Sequence, residues 1–184
     1  LPTIAALPHL QSLKLPRSNI TDAGLAALAP LQSLETLDLS GTKVTDQSLK
    51  EIGRLRNLKY LKLDSTSIRG DGLASLADCP LRELSLVYTP LESDHLQGLQ
   101  QLRSLEVLHI DSSSLSEILL DDLPNLREVS IRLSGPQVNV CLEQLPALER
   151  VVIECSSPNS LRSLKLSALP QLTDVHLSIA GLSS

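Results

Sequence analysis

A short apolar phrase returns along this chain at nearly constant intervals, and no other feature narrows its fold so far. LQSLKL, LETLDL, LKYLKL, LRELSL and LEVLHI each carry Leu or Ile at the first, fourth and sixth places. The units opening at Leu10, Leu34, Leu58, Leu81, Leu105, Leu126, Leu148 and Leu172 follow one another by 24, 24, 23, 24, 21, 22 and 24 residues. A unit of that size holds one strand, a turn and a return segment, and buries only half a core, so neighbouring units must stack. Alternation along the phrase turns its leucines inward and their neighbours outward, and strands repeated at a fixed period pair in parallel. The expectation is a single α/β solenoid over residues 1–184, of about eight coils, with one parallel concave sheet.

Residues 34–55 serve as the prototype coil. Leu34, Leu37 and Leu39 form the inward side of a strand, Ser40-Gly41-Thr42 turns the chain, and Val44 continues the apolar row. Thr45 then stands where a helix N-cap belongs, Asp46 places a carboxylate in the first turn, and Leu49, Ile52 and Leu55 make an inward stripe. The same reading predicts helices on the convex side of the N-terminal half, beginning near Asp22, Asp46, Asp71 and Asp94. After Leu105 that signature stops. Ile118 and Leu120 recur eleven residues on as Val129 and Ile131, Val140 and Leu142 as Val151 and Ile153, and Leu164 and Leu166 as Val175 and Leu177. The far side of each coil now copies the strand side, which predicts extended or short β segments on the convex side of the C-terminal half. The chain opens in mid-pattern at Leu1 and contains no Met, so it reads as a fragment of a larger protein.

The LxxLxL phrases resemble the core of leucine-rich repeats, over nearly the whole chain. NITDAGLAALA, KVTDQSLKEIG and SIRGDGLASLADCP look like the F-box-type, cysteine-containing and bacterial threonine-type subclasses. The Asn that many such repeats stack in the turn is replaced by Ser18, Thr42, Thr66, Thr89 and Ser113, so a ladder of hydroxyls must satisfy the turn backbone. The resemblance implies a protein-binding scaffold. It also implies an alternative, a substrate-recruiting domain of a larger enzyme such as a ubiquitin ligase; a structural spacer without a specific ligand is the third reading.

Charge and cysteines narrow the classes further. Residues 1–92 hold 10 Lys and Arg against 10 Asp and Glu, whereas 93–184 hold 6 against 11. No basic stripe is available for phosphates, which argues against nucleic acid, and the acidic half suits a basic partner surface. Cys79, Cys141 and Cys155 are odd in number and irregularly spaced, which favours free thiols in a reducing, intracellular compartment. No apolar run approaches the roughly 20 residues of a membrane span.

Strand alternation defines three outward rows. The first is Ser12, Thr36, Tyr60, Glu83, Val107, Glu128, Arg150 and Asp174; the second is Lys14, Asp38, Lys62, Ser85, His109, Ser130, Val152 and His176. The third runs through Pro16, Ser40, Asp64, Val87, Asp111, Arg132, Glu154 and Ser178. Alternating signs at Lys14-Asp38-Lys62, Asp111-Arg132-Glu154 and Glu128-Arg150-Asp174 read as self-satisfying ladders. Midway along the sheet, Tyr60, Val87, Tyr88 and Val107 supply apolar anchors beside Lys62, Glu83, His109 and Asp111, which is what a protein-binding hot spot requires. These eight are the expected binding residues.

Catalytic, metal and cofactor signatures are missing. His9, His95, His109 and His176 occur without HExxH, no nucleophile elbow or phosphate loop appears, and no cofactor is implied. Arg69-Gly70-Asp71 occupies the slot of Val44-Thr45-Asp46 and reads as a variant helix start. Asn19-Ile20-Thr21 is a formal glycosylation sequon inside a segment the repeat already demands, and Cys79 before Pro80 reads as a buried structural thiol.

Overall fold

The computed structural model describes residues 6–111 and 113–180. Eight strands build one parallel sheet: β1 (Ser12–Lys14), β2 (Thr36–Asp38), β3 (Tyr60–Lys62), β4 (Glu83–Leu86), β5 (Val107–Asp111), β7 (Glu128–Leu133), β9 (Arg150–Cys155) and β11 (Asp174–Ile179), adjacent in that order. Between them in sequence lie β6 (Glu117–Leu120), β8 (Val138–Glu143) and β10 (Leu161–Ser167), which form a second parallel sheet in the order β10-β8-β6. The predicted convex strands of the C-terminal half are therefore present. Their register matches apolar with apolar, Ile118 with Val140 and Leu164, then Leu120 with Leu142 and Leu166.

Inward positions of the large sheet fill one continuous aliphatic core. Leu37, Leu61, Leu84, Leu108, Val129 and Val151 are register partners in succession and all lie fully buried. Because each coil offers the next the same slot, side chains of one size close-pack without aromatic fillers.

The convex side of the first four coils is helical, but barely α-helical. Helix α1 (Asp22–Leu25) runs straight into a 3₁₀ turn at Ala26–Leu28, and α2 (Leu49–Ile52) is preceded by one at Asp46–Ser48. The third and fourth coils are wholly 3₁₀, over Leu73–Leu76 and Ser93–Gln101. The cause lies in the spacing of the buried residues: Leu25, Leu28, Leu31 and Leu34, or Leu96, Leu99, Leu102 and Leu105, recur every third place. A 3₁₀ helix has 3.0 residues per turn and keeps such a row on one face, whereas an α-helix would rotate it away.

Four of the five expected hydroxyl turns form as required, Ser113 being the exception among the described residues. Ser18, Thr42, Thr66 and Thr89 each donate to the carbonyl three residues back, at 2.6–2.7 Å. One residue earlier in each turn the backbone is left-handed, at Arg17, Gly41, Ser65 and Tyr88, with φ between 55° and 67°. The N–H groups of the first three reach the next coil: Arg17 N to Ser40 O at 2.7 Å, Gly41 N to Asp64 O at 2.7 Å and Ser65 N to Val87 O at 2.8 Å. A stacked row of tight corners thus forms along the exits of β1–β4.

Candidate protein-binding face

The three outward rows are set by pairing register. Thr36, Tyr60, Glu83, Val107 and Glu128 are successive partners, as are Asp38, Lys62, Ser85, His109 and Ser130. Tyr60, Glu83 and Val107 consequently stand side by side on three adjacent strands, with Lys62 and His109 one pleat along. Tyr60 is 38% exposed, a large apolar surface for a sheet position. The Lys62 ammonium lies 3.6 Å from the Glu83 carboxylate, so the charged pair flanks the anchor row.

Val87 and Tyr88 sit apart from that row, on the corner after β4. Tyr88 is 57% exposed at φ 58°, an uncommon backbone for an aromatic residue. Arg132 lies over its ring, 5.3 Å from the centroid, donates to the Tyr88 hydroxyl, and pairs with Glu154 at 2.8 Å. The guanidinium is held more firmly protonated, first by the hydrogen bond to Glu154, with burial working against it.

Asp111 does not join the exposed rim where it is expected. It is 1% exposed and accepts a hydrogen bond from Ser134 Oγ at 2.9 Å. Pairing between β5 and β7 continues through Asp111 and Arg132, so the longer neighbouring strand covers the carboxylate. The sign-alternating rows form in part: Arg132 with Glu154 and Arg150 with Asp174 do pair, whereas Lys62 turns to Glu83. Asp38 and Asp64 bend to the backbone instead. Asp38 Oδ1 accepts from Ser40 N at 2.9 Å and Ser40 Oγ at 2.6 Å, and Asp64 Oδ1 from Ser85 Oγ at 2.5 Å and Val87 N at 2.9 Å.

Two residues of this face escaped the sequence reading. Arg132 was visible only as a ladder charge, and Arg17 shares the corner slot with Gly41, Ser65 and Tyr88, an equivalence that Gly41 alone advertised. Together they help line a groove of about 710 Å³ along the strand exits. Among the described residues no cluster of three His, Cys, Asp or Glu could hold a metal ion, and no helix is long and apolar enough to cross a membrane. His109 and His176 are three strands apart in one row.

Among solved structures, the chain is similar to an internalin C2 of Listeria monocytogenes, with a TM-score of 0.61 and 20% identity over 96% of this chain and 77% of that one. It is also similar to the internalin InlF of the same organism, with a TM-score of 0.50 and 17% identity over 92% of this chain and 61% of that one. At such identities the likeness is one of fold. No curated protein matches the sequence. The profile of a leucine-rich repeat region matches residues 1–184, end to end. With its stacked LxxLxL strands and parallel sheet, the chain belongs to the leucine-rich repeat family, whose repeat regions serve in general as protein–protein interaction modules.

Proposed function

We propose that this chain binds a protein partner through its large parallel sheet, with Tyr60 and Val107 as central anchors and Lys62, Glu83 and His109 orienting the contact. Val87 and Tyr88 extend the contact onto the corner. The observation that carries this reading is the side-by-side placement of Tyr60, Glu83 and Val107 on adjacent strands, with Lys62 pairing to Glu83 beside them. An exposed aromatic next to an aliphatic residue and a charged pair is the composition of a hot spot with its rim. The mechanism is complementarity on a preformed surface. A backbone fixed by parallel pairing on both sides of β3, β4 and β5 has little order left to gain on association, which keeps the entropic cost low. Leucine-rich repeat regions of this kind are typically interaction modules without chemistry of their own, and no catalytic step is assigned here.

The test is affinity capture with the parent chain beside a Tyr60→Glu, Val107→Glu double variant whose fold is verified by circular dichroism. A protein retained by the parent and lost by the variant is the expected result. Equal retention by both would remove the concave sheet from recognition.

A further inference from the structure

We propose that the partner brings a lysine or arginine, flanked by aliphatic side chains, to the sheet between β5 and β9, where Glu128 receives the cation and Val107 and Val152 its neighbours. This names the chemistry of the partner and rests on the protein-binding reading.

Charge is sorted along the concave face. In the outward rows Lys14 and Lys62 balance Asp38 and Asp64 across the first three strands, whereas from β4 onward Glu83, Asp111, Glu128, Glu154 and Asp174 face only Arg132 and Arg150. Every cation in reach already has a carboxylate. Arg132 is held by Glu154 at 2.8 Å, Arg150 by Asp174 at 3.2 Å, and Lys62 reaches across to Glu83 at 3.6 Å. The arginines at the strand entries are held likewise, Arg82 by Glu106 at 3.8 Å and Arg127 by Glu149 at 3.3 Å. Two carboxylates are left over. Asp111 is buried, beyond a partner's reach, and Glu128 is half-buried on the open face, with no hydrogen bond or ion pair among the described residues. Arg150, its register partner on β9, turns away to Asp174 on the far side.

The surroundings of Glu128 set what must accompany the cation. Val107 is its register partner on β5, and Val152 lies one strand over and two residues along, about 8 Å away at roughly 4.8 Å per strand and 3.3 Å per residue. All three side chains are half-buried, so the two valines border the carboxylate without closing over it. A half-buried carboxylate has lost part of its hydration and gains more from an arriving cation than a fully solvated one. Alternate side chains of an extended segment stand about 6.6 Å apart, so an aliphatic-x-cation-x-aliphatic segment spans Val107, Glu128 and Val152. An acidic segment would instead meet a surplus of its own charge.

A random heptapeptide library displayed on phage, panned at pH 8 so that histidines add no charge, tests this. The expected enrichment is peptides with a lysine or arginine two residues from an aliphatic side chain. Their fluorescein-labelled forms should bind Glu128→Gln about fivefold more weakly and lose about threefold in affinity between 0.05 and 0.5 M NaCl. Because Glu128 points outward without a bond, the substitution should leave the circular dichroism spectrum unchanged. Panning Glu128→Lys should reverse the preference and select peptides rich in Asp and Glu. Absence of enrichment, selection of neutral or acidic peptides by the parent, or undiminished binding to Glu128→Gln would overturn the proposal. The two readings separate cleanly: peptides indifferent to Glu128→Gln, beside a protein whose capture is still lost by the Tyr60→Glu, Val107→Glu variant, leave the sheet as the site and eliminate the basic occupant.

Discussion

Asp22 shows how single residues tie one coil to the next. Its carboxylate accepts from Thr45 N at 2.8 Å, from Thr45 Oγ1 at 2.9 Å and from Ser48 Oγ, all one coil onward. Burial pushes its pKa up, but the hydrogen bonds from Ser48 and Thr45 outweigh it and leave the group below the ordinary 3.8. A carboxylate depressed on folding contributes stability that is full above its unfolded pKa and is lost as pH falls through the folded value. Thermal unfolding of Asp22→Asn should therefore lie below that of the parent at pH 7, with the gap closing below about pH 4. A gap unchanged at pH 3 would mean that the charge contributes nothing. From sequence alone Asp22 and Asp46 read as first-turn carboxylates of their own helices. Both do stand in the first helical turn, but Asp46 also accepts from Arg69 N and Gly70 N of the next coil, a separation of 23 and 24 residues that local pattern does not encode. The thiols were more legible. Cys79 is buried, and its pKa is pushed up to about 11 chiefly by that burial, with Arg56 pulling against it. All three cysteines are free, and Cys141 alone is half-buried on an outward position, although burial and then the neighbouring Glu143 raise its pKa. At pH 8 it should therefore react with Ellman's reagent ahead of the other two but more slowly than an unhindered free thiol, and all three should react only in denaturant.

Elements in this chain are decided by spacing more than by propensity. The eleven-residue recurrence in the C-terminal half was a direct image of two strands per coil, so β6, β8 and β10 were legible. The convex helices were half legible: their presence followed from the inward stripes, but a spacing of three was read as a sample of 3.6, and 3₁₀ geometry won in the third and fourth coils. Tight convex packing explains why a slim segment is favoured. A Cβ built on Gly53 would fall 2.1 Å from the Ser75 carbonyl oxygen of the following coil, a backbone atom with no rotamer by which to yield. Gly53→Ala should accordingly cost about 2–3 kcal/mol in urea unfolding, although alanine is the better residue in an isolated helix. An unchanged or raised midpoint would show that the convex segments slide apart freely. The corner row was the least legible element. Gly41 suggested a left-handed turn, but nothing in Arg17, Ser65 or Tyr88 as residue types announces positive φ; at Arg17 and Ser65 it accompanies N–H bonds to the next coil, which a local pattern does not encode.

At the scale of the molecule, stability is a sum over neighbouring coils, since each strand meets only the one before and the one after. Exposed ion pairs that bridge adjacent coils, such as Lys59 with Glu35 at 2.8 Å and Arg150 with Asp174 at 3.2 Å, add at most a few tenths of a kcal/mol each. The aliphatic row carries the load, and its value depends on position in the stack. Ile153 and Leu177 are register partners on β9 and β11 and point the same way, yet Ile153 is fully buried and Leu177 is 44% exposed, because β11 has a neighbour on one side only in the described sheet. The same truncation must therefore have unequal consequences. Ile153→Ala leaves a cavity closed on both sides and should cost about 3–4 kcal/mol, whereas Leu177→Ala gives up half a contact surface and should cost about 1 kcal/mol. Urea unfolding of the two variants measures the difference, and native-state amide exchange should order the strands likewise, with β11 opening at lower free energy than β4 or β5. Equal costs at the two positions would mean that unfolding is one transition with no gradient along the array, and the sum over neighbouring coils would then fail as a description of this solenoid.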